Sequence, residues 1–205
     1  MLKKINLPIT ISSFLLSILG IVTIFSSSSQ LGFQQIIFIL FGLILYFFIS
    51  NFDYRYLRNV KIHLYVISLI LLFSVFILGT ETRGVIRWIP FFGFNIQPSE
   101  FVKPVLIILL ADLLYKKQSD WLNIFKSLML ILPVFLLVFI QPDLGTTFTI
   151  LAIWMGMVFA SNIELKKLII LFLIAIMSIP LAWVVLQDYQ KQRIFTFLSS
   201  SKDPL

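Results

Sequence analysis

The sequence lacks the residues from which several common kinds of site are built. It contains no cysteine and a single histidine, His63. Without cysteine there is no disulfide scaffold and no thiolate metal site, and one histidine cannot form the ligand cluster of a zinc centre. Phosphate-binding loops, dinucleotide-binding fingerprints and serine nucleophile elbows are missing too. No motif therefore predicts a metal or an organic cofactor, although a divalent cation bound without a motif stays open.

Charged residues are also scarce. Only 12% of the 205 residues are charged, whereas 60% are hydrophobic and 22 are phenylalanine. Soluble domains contain about 25% charged and about 45–50% apolar residues, so this chain has too little polar surface to cover a water-soluble body. The composition excludes a soluble domain and a disordered protein, and it predicts a membrane protein.

Seven apolar stretches are candidates for membrane-spanning helices. A span needs about 20 mostly apolar residues, and the backbone must satisfy its own hydrogen bonds in lipid. The predicted spans are residues 8–25, 33–50, 62–78, 101–115, 124–140, 146–160 and 168–186. The predicted fold is therefore an all-α, polytopic transmembrane helix bundle that forms one membrane domain over residues 1–205. The first stretch also resembles a signal peptide, but its length and the six spans after it favour a retained helix.

The distribution of basic residues predicts the orientation of the chain. With a cytoplasmic N-terminus, ten of the sixteen Lys and Arg residues lie inside, five lie outside, and Lys103 lies within a span. Basic inner connections are typical of membrane proteins, so we predict that the N-terminus is cytoplasmic. The net charge of +7 comes from short basic runs between apolar stretches, which indicates contact with anionic lipids and not with nucleic acid.

Ionisable residues at membrane depth are costly, and they are therefore candidates for function. Glu100 and Lys103 open the fourth span at a spacing that places them on one helical face. They form either an ion pair that only fixes the helix entry, or part of a polar cavity in the outer leaflet. Asp143 lies in QPDLGTT and either caps the sixth helix or faces that same cavity. At the inner end of the fourth span, Asp112 is predicted to pair with Lys116.

Several cations fall on the predicted outer side, against the usual bias. They are Arg83, Arg87, Lys191 and Arg193, and Trp88 follows Arg87 directly. The planar arginine fork fits phosphate oxygens, whereas Trp88 is equally typical of an interfacial aromatic belt. This pattern predicts an anionic ligand in the outer leaflet, such as a polyprenyl pyrophosphate.

Three segments carry a family resemblance. RWIPFFGFNIQPSEFVK at 87–103, QPDLGTT at 141–147 and DYQKQRIFTFLSSSKDPL at 188–205 resemble the SEDS family of bacterial cell-wall polymerases. The last segment is more similar to the RodA-like elongation members than to the FtsW-like division members. By motif, Trp88 matches the family's important outer-loop tryptophan, Glu100 and Lys103 match its buried pair, and Asp143 matches its QPDLG aspartate.

The resemblance implies a bundle of about ten spans that polymerises lipid II, a disaccharide-peptide on undecaprenyl pyrophosphate, outside the membrane. It implies a class B penicillin-binding protein as the partner. The family's essential aspartate lies in an outer loop that would follow residues 203–205, so the 205-residue chain is expected to be an inactive N-terminal part. Two other functions stay open: a flippase for the lipid-linked precursor, which would need alternating access, and a non-enzymatic scaffold for the penicillin-binding protein.

Overall fold

A computed structural model describes residues 6–53, 55–82, 85–91, 94–115, 120–161, 163–186, 190–192 and 195–196 of the chain. The helices in these residues are α1 (Leu7–Ser27), α2 (Ser29–Asn51), α3 (Arg55–Leu78), α4 (Pro98–Tyr115), α5 (Trp121–Ile140), α6 (Leu144–Ala160) and α7 (Leu165–Val185). The strands are β1 (Thr80–Thr82), β2 (Val85–Phe91) and β3 (Phe94–Ile96).

The sequence predicted an all-α bundle, and the mostly helical class of the chain is confirmed. Each predicted span falls on one helix, in the predicted order. Among the described residues, α1, α2, α3 and α5 are long and apolar enough to cross a membrane, whereas α6 is apolar but has 17 residues. At about 1.5 Å per residue, a helix of that length falls short of a bilayer core of about 30 Å. The number of spans, the orientation and the single membrane domain therefore stay predictions.

The chain divides into two compact units, Met1–Tyr56 and Leu57–Leu205. The first contains a helical hairpin whose turn is a single residue. Ser28 is extended (φ −161°, ψ 121°), so it ends α1 and also caps α2 by accepting a hydrogen bond from the Leu31 N–H at 3.5 Å. Serine is favoured there because its short hydroxyl reaches the free amides of the first turn. Near the other end of the hairpin, the hydroxyls of Thr10 and Tyr46 lie 2.5 Å apart.

The core of the second unit is built mainly by α4, α5 and α6. Apolar side chains from these helices are almost completely buried: Val102, Leu106, Leu110, Ile131, Val134, Val138, Ile150 and Val158. Trp154 of α6 donates its indole N–H to the hydroxyl of Ser127 on α5 at 2.9 Å. A buried indole needs such an acceptor, so this bond joins α5 and α6 without leaving a polar atom unsatisfied.

A three-stranded antiparallel sheet in the order β1-β2-β3 connects α3 to α4, and sequence analysis did not predict it. Trp88 pairs with Thr80, and Ile89 pairs with Ile96. The segment is rich in β-branched and aromatic residues, which favour strands. Its aromatic and proline content is equally typical of an interfacial connection, which is why the strands were missed. The sheet places β2 beside the start of α4.

At the opposite end of α4, one carboxylate joins two cations of α3. The Oδ1 of Asp112 lies 2.5 Å from the Nε of Arg58, and Asp112 also forms an ion pair with Lys61. Sequence spacing predicted a pair between Asp112 and Lys116, but Lys116 lies outside the described residues. The contacts with Arg58 and Lys61 were missed because they join residues about fifty positions apart, and no local spacing reveals them.

Replacing Asp112 by asparagine is expected to lower the free energy of unfolding by about 1–2 kcal/mol, because two cations lose their partner while Arg58 stays half exposed to solvent. The loss would be measured as a shift of the unfolding midpoint of the purified chain in detergent. Asp53→Asn is the matched control, since its pairing with Arg55 is 4.0 Å long and exposed. Equal shifts in the two variants would contradict the bridging role of Asp112.

Candidate anion-binding site

Asp143 is a buried carboxylate at the turn between α5 and α6, with 5% of its surface exposed. It caps α6: Oδ1 accepts from the Thr146 N–H at 3.2 Å, and Oδ2 accepts from the Thr146 hydroxyl at 2.9 Å. A carboxylate at a helix N-terminus also interacts favourably with the helix dipole. The capping role considered for Asp143 is therefore present in the structure.

Capping does not exhaust the contacts of this carboxylate. The Nη1 of Arg87, on β2, lies 3.5 Å from Asp143 Oδ1. The Nε2 of Gln97, just before α4, donates to Asp143 Oδ2 at 2.8 Å. Asp143 thus receives donors from three places in the chain: β2, the β3–α4 connection and the first turn of α6. We call Arg87, Gln97, Asp143 and Thr146 the Asp143 cluster.

Glu100 and Lys103 form the ion pair expected from their spacing, with Lys103 Nζ 2.6 Å from Glu100 Oε2. The Lys103 side chain is 23% exposed and that of Glu100 is 54% exposed. Gln97 links this pair to the Asp143 cluster, because its backbone carbonyl accepts the Glu100 N–H at 3.1 Å. Hydrogen bonds through Gln97 therefore join the Glu100–Lys103 ion pair to the Asp143 cluster at the start of α4.

The guanidinium of Arg87 is held by Asp143 and is partly exposed to solvent. Its side chain is 31% exposed, and its guanidinium carbon lies 6.0 Å from the centre of the Trp88 ring. Its Nε is buried and has no hydrogen-bond partner among the described residues. A buried donor without a partner is costly, and burial also keeps this nitrogen out of reach of a ligand. The exposed part of the guanidinium is what offers N–H donors to an acceptor such as a phosphate oxygen.

Gln141 anchors the α5–α6 turn to α3. Its side chain is 3% exposed, and its Nε2 donates to the backbone carbonyl of Leu72 at 2.8 Å. Gln97, Gln141 and Thr146 were not among the predicted site residues. The available signal was an uncharged polar side chain in an apolar chain, since QPSE and QPDLGTT both begin with glutamine.

Three further cations were predicted for this site. Arg83 and Arg193 lie outside the described residues, and Lys191 is half-buried in a short helical segment. Within the described part of the chain, no group of three or more His, Cys, Asp or Glu side chains could hold a metal ion. The site described by the structure is thus made of two ion pairs and side-chain amides, which carry hydrogen-bond donors of the kind that anions accept from.

Comparison with known proteins gives a family match over almost the whole chain. The profile of the FtsW, RodA and SpoVE family, described as cell cycle protein, matches residues 6–205. The chain is 30% identical over 204 residues to the probable peptidoglycan glycosyltransferase FtsW of Wigglesworthia glossinidia brevipalpis, covering 92% of this chain and 53% of that protein. It is 34% identical over 201 residues to the peptidoglycan glycosyltransferase MrdB of Helicobacter pylori, covering 94% of this chain and 51% of that protein.

A solved structure is similar as well. It is described as the structural coordination of polymerization and crosslinking by a peptidoglycan synthase complex, and one of its chains matches with a TM-score of 0.81 and 28% identity. The match covers 98% of this chain and 61% of that one. The chain therefore spans about half the length of the curated relatives it matches.

Proposed function

Because the chain belongs to the FtsW, RodA and SpoVE family of cell cycle proteins, we propose that it is part of a peptidoglycan glycosyltransferase that polymerises lipid II. The proposed location is the bacterial cytoplasmic membrane, with several spans, the N-terminus inside and the Asp143 cluster at the outer face. Relatives named FtsW and relatives named MrdB match the chain similarly well. The proposal that the chain acts in cell elongation is therefore supported only by the RodA-like segment at residues 188–205.

One observation carries this proposal: Arg87 is held by a buried carboxylate while 31% of its side chain stays exposed. In glycan polymerisation, a sugar hydroxyl attacks the anomeric carbon of lipid II, and undecaprenyl pyrophosphate departs with the bonding electrons. Donors that are fixed before the reaction stabilise the negative charge that develops on this leaving group. We assign that role to Arg87, with Lys103 as a nearby second cation.

The same geometry argues against Asp143 as the general base. A base must have a free oxygen within reach of the proton it accepts. Both oxygens of Asp143 are already occupied by Thr146, Gln97 and Arg87. We therefore assign Asp143 to holding Arg87 and assign proton transfer to no residue of the cluster.

A class B penicillin-binding protein is the proposed partner. The supporting observation is that the matched solved structure is a peptidoglycan synthase complex that couples polymerization with crosslinking. No contact in the described chain favours the flippase or the pure scaffold over the polymerase. We also propose that a divalent cation takes part, bound by the oxygens of the lipid pyrophosphate.

The proposed function predicts that this chain recognises the pyrophosphate headgroup. The purified chain in lipid nanodiscs is expected to bind undecaprenyl pyrophosphate at least about tenfold more tightly than undecaprenol, because charge-assisted hydrogen bonds form only with the anion. Arg87→Ala should abolish most of this preference. The matched control is Arg58→Ala, on α3, which contacts Asp112 at the end of α4 away from the Asp143 cluster and should leave the preference unchanged. Equal binding of the two lipids by the unaltered chain would contradict the proposed function.

A further inference from the structure

Arg87 binds Asp143 in an unusual way. Arginine and carboxylate side chains commonly form a two-point pair, in which two guanidinium nitrogens contact the two carboxylate oxygens. The contact that joins them here is between Nη1 and Oδ1, at 3.5 Å, and Nε has no hydrogen-bond partner among the described residues. The other oxygen, Oδ2, already accepts from Gln97 at 2.8 Å and from the Thr146 hydroxyl at 2.9 Å.

We propose that Gln97 is a positioning residue that keeps Arg87 available for an anion. By filling Asp143 Oδ2, the Gln97 amide prevents Arg87 from closing into a two-point pair with the carboxylate. The Arg87 guanidinium, whose side chain is 31% exposed, then keeps N–H groups that can donate to a pyrophosphate oxygen. This inference rests on the proposed function, since it adds a positioning residue to the same proposed anion site.

The position of Gln97 supports the assignment. It is half-buried between the end of β3 and the start of α4, and its backbone carbonyl accepts the Glu100 N–H. Its backbone is therefore fixed by α4 while its side chain reaches the α5–α6 turn. An amide suits this position because it donates to the carboxylate without adding charge that would neutralise Asp143 or compete with Arg87 for the anion.

The test is a double-mutant cycle in the nanodisc binding assay. Gln97→Met keeps the length of the side chain and removes the donor, so the preference for undecaprenyl pyrophosphate over undecaprenol is expected to fall about five- to tenfold. In an Asp143→Asn background there is no carboxylate for Arg87 to close upon, so the same Gln97→Met change is expected to alter the preference less than about twofold. The matched control is Gln30→Met, an exposed glutamine on α2.

Two results would overturn the inference. Gln97→Met could leave the preference for undecaprenyl pyrophosphate intact, even if it weakens the binding of both lipids, or it could lower the preference by the same factor in both backgrounds. The second result would mean that Gln97 does not act through Asp143. Failure of the proposed function is distinguishable, because in that case the unaltered chain itself shows no preference for the pyrophosphate.

Discussion

Replacing the aspartate aligned with Asp143 by alanine in a full-length relative is expected to reduce lipid II polymerisation by about 100-fold. This substitution removes the cap of α6, the acceptor for Gln97 and the partner of Arg87 in one step. Arg87, the β3–α4 connection and α6 lose their common anchor, and displacements of about 1 Å in a reacting site can cost two orders of magnitude. The measurement is the rate of glycan formation from purified lipid II.

Asparagine at the same position separates the two roles of Asp143. Asparagine is as good an N-cap as aspartate, so Asp143→Asn should keep the fold. It carries no charge, so it cannot hold the guanidinium of Arg87 as an ion pair. We expect near-normal thermal stability with polymerisation reduced at least about tenfold, since a charged hydrogen bond is lost. Polymerisation at the unaltered rate in the alanine variant would refute the anchoring role.

The largest effect on stability is expected from Trp154→Ala in α6. The side chain is 7% exposed and packs in the core of the second unit, so its removal leaves a large cavity. It also removes the donor to the Ser127 hydroxyl, which keeps its own bond to the Ile124 carbonyl. Substitutions of this kind cost about 3–5 kcal/mol. The free energy of unfolding of the purified chain would be followed by helical circular dichroism during denaturation in detergent.

Two variants calibrate that result. Trp154→Phe keeps most of the volume and loses the indole donor, so its cost should be about 1–2 kcal/mol. Trp121→Ala, at the start of α5, changes the same residue type where it is 45% exposed, and its cost should stay below about 1 kcal/mol. A Trp154→Ala variant as stable as Trp121→Ala would show that the core is not organised around Trp154.

The helical part of the fold was predictable because lipid leaves the backbone few alternatives. An apolar run must satisfy its own amides, so composition alone locates the helices within a few residues. The β-sheet at 80–96 was not predictable in the same way. Its residues favour strands as well as interfacial loops, and the pairing of Trp88 with Thr80 depends on tertiary contacts that no local pattern encodes.

The candidate site was predictable where charge made residues conspicuous. Arg87, Lys103, Glu100 and Asp143 attract attention because ionisable groups are rare in an apolar chain. Gln97 does not, because a neutral amide carries no comparable penalty and its role depends on a partner 46 positions away. The pairing of Arg87 with Asp143 was not predicted either. It joins the α5–α6 turn, which was predicted, to strand β2, which was not.

The one-residue connection at Ser28 has a consequence for insertion into the bilayer. A hairpin with a one-residue turn brings its two open ends together, so Asn51 lies at the same end of the pair as Leu7. In the sequence, Lys3 and Lys4 precede α1 and Arg55 follows α2, so the three cations flank that end. In the predicted orientation, with a cytoplasmic N-terminus, the three cations act together on the orientation of the pair, and a variant that loses one of them keeps two.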